Sequence, residues 1–118
     1  MAITILVSKG PASRASLRSA ELARALLRNG ETIGRVFFHG DGVQLCHAGT
    51  DPQKDALGAA NIWQALINDY QLPATACSGS VARRGLDQPT TRLADGVETA
   101  GLGQLASALQ NSEKLVSF

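Results

Sequence analysis

The chain has 118 residues, of which 44% are apolar and 18% charged, with a net charge of +1. That length suits one domain, residues 1–118, and can bury a core without metal or disulfide staples. The near-zero charge excludes a whole-protein electrostatic pull toward nucleic acid or an anionic membrane.

The apolar opening, residues 1–7, is broken by Ser8, Lys9, Gly10 and Pro11. It is too short for a signal core or a membrane span, so the expected compartment is the cytoplasm. Cys46 and Cys77 lie far apart in sequence and are expected there as free thiols.

Ile3-Thr4-Ile5-Leu6-Val7 is β-branched and mostly apolar, as in a strand covered on both faces. After a turn at 8–11, a helix is predicted over 13–29. Arg14, Arg18, Glu21 and Arg28 share one face, with Arg24 one step off, and Leu17, Ala20, Ala23 and Leu27 take the opposite side. The arginine stripe reads as the solvated face. Ser13 is its N-cap, and Asn29-Gly30 its stop. A second strand follows at 32–38, then a loop at 39–50 rich in Gly, His and Asp. Asp51-Pro52 reads as the start of a second helix running to Tyr70, with Ala59, Ile62, Trp63, Leu66, Ile67 and Tyr70 on its apolar face.

Residues 73–77 read as a third strand, 78–84 as a helical turn and 87–95 as a polar loop. A fourth strand is expected at 96–99, a helix at 102–109 and a last strand at 114–118. Strands alternating with helices predict crossover units and a parallel sheet. In such sheets functional groups collect where loops leave the carboxyl ends of strands, here after Val7, after Phe38 and at Cys77.

Cys77 is the first candidate. It falls where a buried strand gives way to a helical turn, whose unpaired N–H groups favour a thiolate. Ser78, Gly79 and Ser80 leave space beside the sulfur, and Arg83 and Arg84 add positive charge. The same place also suits an inert buried cysteine. Cys46 is preceded by Leu45 and followed by His47; an incidental loop thiol is the plainer reading. His39 and His47 read as loop residues near the site, able to exchange protons. With Cys46 and Cys77 they lack the close pairs of a zinc site, so no metal is expected. Gly101-Leu102-Gly103-Gln104-Leu105-Ala106 matches G-x-G-x-x-A, but the chain ends before the acidic partner a dinucleotide site requires. Gly10-Pro11-Ala12-Ser13 lacks the Gly-Lys-Ser/Thr of a phosphate loop.

Taken together, several stretches resemble the DsrE/TusD family of sulfur-relay proteins. They are Lys9-Gly10-Pro11 after the apolar start with Gly30-Glu31 closing the helix, and Val36-Phe37-Phe38-His39-Gly40-Asp41-Gly42-Val43. Cys77 with Arg83-Arg84-Gly85 follows, then Gly101-Leu102-Gly103-Gln104-Leu105 with Lys114-Leu115-Val116-Ser117-Phe118. The resemblance implies a single α/β domain of three layers, α/β/α, around a mostly parallel five-stranded sheet. It also implies that Cys77 accepts sulfane sulfur as a persulfide and passes it to an acceptor protein. Such proteins work as homo- or hetero-oligomers with related subunits, without cofactor, membrane or direct nucleic-acid contact. They serve 2-thiouridine formation in tRNA or sulfur oxidation.

The chain departs from the pattern at Ser78-Gly79-Ser80, where the family is more apolar, and between Gly85 and Gly101, which is short. Two other readings remain at this level: a non-catalytic scaffold subunit of a relay complex, and a ligand-binding flavodoxin-like domain. The presence of Cys77 argues against the first; fold alone does not exclude the second.

Overall fold

The computed structural model describes residues 2–49 and 52–118. Five strands form one parallel sheet: β1 (Ala2–Val7), β2 (Thr32–Phe38), β3 (Ala74–Cys77), β4 (Val97–Ala100) and β5 (Lys114–Ser117). Among the described residues, four α-helices connect them: α1 (Arg14–Arg28), α2 (Ala59–Tyr70), α3 (Ser78–Arg83) and α4 (Leu102–Asn111). The strand order is β4-β3-β2-β1-β5. From β1 to β4 each connection steps one strand in the same direction, and right-handed crossovers therefore put α1, α2 and α3 on one face. The return from β4 across the sheet to β5 places α4 on the other, giving the three layers expected.

The core follows from the apolar pattern. Ile5, Val7, Val36, Phe37 and Phe38 are inaccessible on the central strands, as is Trp63 on α2. Phe38 and Trp63 meet edge to face, with centroids 5.4 Å apart, the arrangement the ring quadrupoles favour. The Trp63 indole N–H would be costly to bury alone; it donates to Ser19 Oγ at 3.0 Å, and Ser19 donates on to the Ser16 carbonyl at 2.6 Å. Helix α1 starts as expected, with Ser13 Oγ accepting from the Ala15 N–H. Arg14, Arg18, Glu21 and Arg28 are exposed.

The second helix starts later than the sequence suggested. Residues 52–57 are turns, Gly58 adopts φ +78°, and the helix begins at Ala59. The left-handed Gly58 interrupts any earlier helix, and the cap is Asp55, whose carboxylate accepts from the Ala60 and Asn61 N–H groups at 2.8 and 3.0 Å. Asp51, the expected cap, and Thr50 lie outside the described residues. Tyr70, expected on the apolar face, is 47% exposed at the helix end. The stretch expected as a loop after Phe38 contains a 3-10 helix, Gly40–Cys46, seated on the carboxyl ends of the strands.

Helix α4 contrasts with the rest. None of its residues is buried, and Leu102 and Leu109 on it, with Leu115 on the edge strand β5, are exposed large apolar side chains. Among the described residues, no helix is long and apolar enough to cross a membrane.

Candidate active site

The site forms where β1, β2 and β3 end together. Phe38 pairs with Ala76, so the next residues, His39 and Cys77, stand on adjacent strand ends. His39 is half-buried. Its N–H donates to the Val7 carbonyl at 2.9 Å and its carbonyl accepts from the Gly42 N–H at 3.0 Å. These bonds turn the chain into the 3-10 helix and lay that helix against β1. Gly42 is required at this approach: a Cβ there would stand 2.2 Å from the Val7 carbonyl oxygen.

Cys77 ends β3 and caps α3 with extended backbone. Helix α3 has only 6 residues, so individual donors matter more than an accumulated dipole. Burial alone would raise the Cys77 thiol. The Ser80 hydroxyl, the Ser80 and Gly79 N–H groups and the Arg83 guanidinium outweigh it and hold the thiol below its ordinary value. The sulfur is less open than the sequence suggested, the residue being 4% exposed. Its immediate surroundings are nonetheless polar, and Ser78, Gly79 and Arg83 beside it are all exposed.

The two arginines divide their work. Arg83 folds back over Gly79, where a Cβ would lie 3.3 Å from its guanidinium, and donates to Ser80 Oγ at 3.3 Å. Arg84 turns to Asp41, with nitrogens 2.8 and 3.1 Å from one carboxylate oxygen, and donates to the Ser80 carbonyl at 3.2 Å. Arg84 therefore ties the end of α3 to the 3-10 helix, while Arg83 lies over the first turn of α3. Ser78 is exposed.

Cys46 has the opposite environment. It is 0% exposed in the apolar core, and burial pushes its thiol far up, which disfavours the thiolate. Its carbonyl accepts from the Ala94 N–H at 2.7 Å and the Ala48 N–H donates to the Arg92 carbonyl at 2.8 Å, which pins the 84–96 connection beside the site. The adjacent His47 takes part in that pairing opposite Leu93. Among the described residues, no three His, Cys, Asp or Glu side chains gather as a metal ion would require.

Ser80 is the residue the sequence reasoning passed over as merely small. It is 0% exposed, and its hydroxyl oxygen accepts from the Gly40 N–H at 3.0 Å as well as from Arg83. The available signal was a hydroxyl residue in the first turn after the cysteine; its partner Gly40 is too distant in sequence to be inferred.

A 360 Å³ groove lies beside this corner, lined by Pro11, Gln44, His47, Gly49, Lys54, Arg84 and Leu86. It joins the loops following β1 and β2 to the end of α3, on the side of the sheet where crossover folds place ligands and partners.

Comparison with known proteins finds relatives along the whole chain. The chain is 32% identical to a sulfurtransferase TusD homolog of Vibrio parahaemolyticus, covering 98% of this chain and 95% of that one. It is 30% identical to a putative sulfurtransferase DsrE of Allochromatium vinosum, over 100% and 98% of the two chains. The crystal structure of the ychN protein from E. coli superposes with a TM-score of 0.83 at 25% identity, over 100% of this chain and 99% of that one. The DsrE/DsrF-like family matches residues 1–118, and the chain belongs to that family.

Proposed function

We propose that this chain, as one domain over residues 1–118, is a cytoplasmic sulfurtransferase carrying sulfane sulfur as a persulfide on Cys77. The observation that carries the reading is the place of Cys77, at the end of β3 and the start of α3 with exposed Ser78, Gly79 and Arg83 beside it, where Ser80, Gly79 and Arg83 hold its thiol below the ordinary value. They favour an anion on sulfur, the form needed both to attack and to leave.

The cycle has two exchanges. The Cys77 thiolate attacks the outer sulfur of a donor persulfide; the new S–S bond forms as the donor's S–S bond breaks, and the donor leaves as a thiolate. The proton on the transferred sulfur then dissociates to give Cys77–S–S⁻. In the second exchange the outer sulfur takes a proton back from solvent, an acceptor thiolate attacks it, the Cys77–S bond breaks, and Cys77 returns as a thiolate. Each step breaks one S–S bond and makes one, so no external oxidant, reductant, metal or organic cofactor enters. Gly79 and Arg83 act in both halves, the first by its N–H and by the room its missing side chain leaves for the guanidinium. Arg84 braces the site through Asp41, and Ser78 and His39 line its rim.

The partners are a sulfur donor protein and an acceptor protein, in 2-thiouridine formation in tRNA or in sulfur oxidation, with related subunits completing an oligomer. The exposed apolar face of α4 and β5 supports assembly, since such surfaces on small domains mark interfaces. Peptide mapping after incubation with a small-molecule persulfide tests the reading. Added sulfur is expected on the peptide containing Cys77. Sulfur found only on Cys46, or on neither cysteine, overturns it.

A further inference from the structure

We propose that the 470 Å³ cavity between the sheet and α4 binds a small tetrahedral oxyanion, phosphate or sulfate, through the Arg35 guanidinium. Arg35 stands half-buried on β2, the central strand of the five, in register with Thr4 on β1. A charge there is unusual, because the strands of a parallel sheet are covered on both faces and normally apolar. One guanidinium N–H donates to the Thr75 hydroxyl on β3, which fixes the group in place. Among the described residues no carboxylate pairs with Arg35, and none lines the cavity. A half-buried cation without a counter-ion has given up solvation that nothing replaces; an anion in the cavity replaces it with charge-assisted hydrogen bonds.

Helix α4 supplies the other wall, and does so with its polar side. Gln104, Ser107 and Asn111, three and four residues apart, line the cavity. Of the leucines, Leu105 packs against the core, while Leu102 and Leu109 stay exposed. A helix that served only to cover the sheet would lay an apolar stripe over Arg35. Thr4 lies across from this polar stripe, 2% exposed; its hydroxyl makes no hydrogen bond among the described residues and opens on the cavity rather than being sealed. Asn111 donates to the Ser107 carbonyl at 3.1 Å and Ser112 to the Leu109 carbonyl at 3.3 Å. Those bonds quiet carbonyls of the last turn, which would otherwise repel an anion. Donors thus converge from both walls, Arg35 and Thr4 on one, Gln104 and Ser107 on the other. That suits oxygens pointing several ways better than a planar carboxylate. No residue lining the cavity belongs to the corner that holds Cys77, so the proposal stands or falls apart from the sulfur chemistry.

The test is calorimetric titration of the full chain with inorganic phosphate, at a temperature where melting curves show every variant folded. Ionic strength is held constant with chloride, because salt screens such pairs. The parent is expected to bind one phosphate. Arg35→Gln, which can still bond Thr75, should weaken binding about tenfold or more, the loss of a charge-assisted pair. Arg35→Lys, which keeps the charge without the fork, should fall between them. Ser107→Ala, an exposed change that spares the core, should weaken it about threefold. Arg83→Gln, at the sulfur corner, should bind as the parent does. A parent that binds no phosphate would overturn the proposal, as would equal binding by the parent and Arg35→Gln. So would loss of binding in Arg83→Gln alone, which would put the anion beside Cys77. An oligomer that Arg35→Gln dissociates whether or not phosphate is present would also overturn it, by assigning Arg35 to a carboxylate of a second subunit.

Discussion

Replacing Gly42 with alanine places a methyl where the end of β1 already stands. The added Cβ would lie 2.2 Å from the Val7 carbonyl oxygen, 2.9 Å from its carbon and 3.3 Å from the Ser8 nitrogen. Comfortable separations are about 3.5 Å, so the overlap is roughly 1 Å, and it is with main chain, which no rotamer change relieves. The same Val7 carbonyl accepts the His39 N–H at 2.9 Å, and the Gly42 N–H donates to the His39 carbonyl at 3.0 Å. Any shift that relieves the clash therefore loosens the turn holding the 3-10 helix. Overpacking costs about 1–3 kcal/mol and a weakened buried hydrogen bond about 1 kcal/mol, offset by about 0.5 kcal/mol from the stiffer unfolded chain. A net loss of about 2–3 kcal/mol lowers Tm by roughly 8–12 °C for a domain of this size. Calorimetry reads the change. Gly49→Ala is the control: its φ of +78° imposes strain but nothing lies within 4 Å, and about 1 kcal/mol is expected. A Gly42→Ala melt within about 2 °C of the parent would refute the account of this approach.

Further predictions concern the cysteines and the arginine. Gly79→Ala improves helix propensity by roughly 0.5–1 kcal/mol but crowds the Arg83 guanidinium, 3.3 Å from the new methyl. Tm should hold or rise while Cys77 alkylation near neutral pH slows; a faster reaction contradicts the role given to Arg83. In the folded chain Cys77 should react with iodoacetamide at lower pH than an ordinary thiol does, because its anion is favoured. Cys46 should react only after denaturation. The signs follow by linkage. A folded thiol held below its unfolded value adds stability above the unfolded value that is lost as pH falls through the folded one. A thiol raised by burial contributes stability below the unfolded value, near 8.5, that drains as pH climbs above it. Cys46→Ala should accordingly flatten the loss of stability at alkaline pH, read from urea midpoints across that range.

Much of the architecture was readable because it is local. The β-branched runs of β1 and β2, the Ser13 cap and the Asn29-Gly30 stop each carry their signal within a few residues. The second helix was misjudged because Asp51-Pro52 and Asp55 are rival starts, and Gly58 decides between them through a left-handed turn the sequence does not declare. The 3-10 helix was hidden because its glycines suggest a loop, and only the close pass of Gly42 over Val7 shows why they are there. At the site, Cys77 and Arg83 stood out by spacing. Ser80, Asp41 and Gly40 did not, since the bonds Ser80–Gly40 and Arg84–Asp41 join residues 40 and 43 positions apart. The burial of Cys46 depends on which side of a turn faces the core, and a neighbouring histidine says nothing about that.

The central claim is tested most directly by intact mass after exposure to a small-molecule persulfide, run in parallel on the parent, Cys77→Ser and Cys46→Ser chains, with circular dichroism to show that each is folded. The account predicts one added sulfur on the parent and on Cys46→Ser, removable by a thiol, and none on Cys77→Ser. A folded Cys77→Ser chain that still gains the sulfur would contradict it.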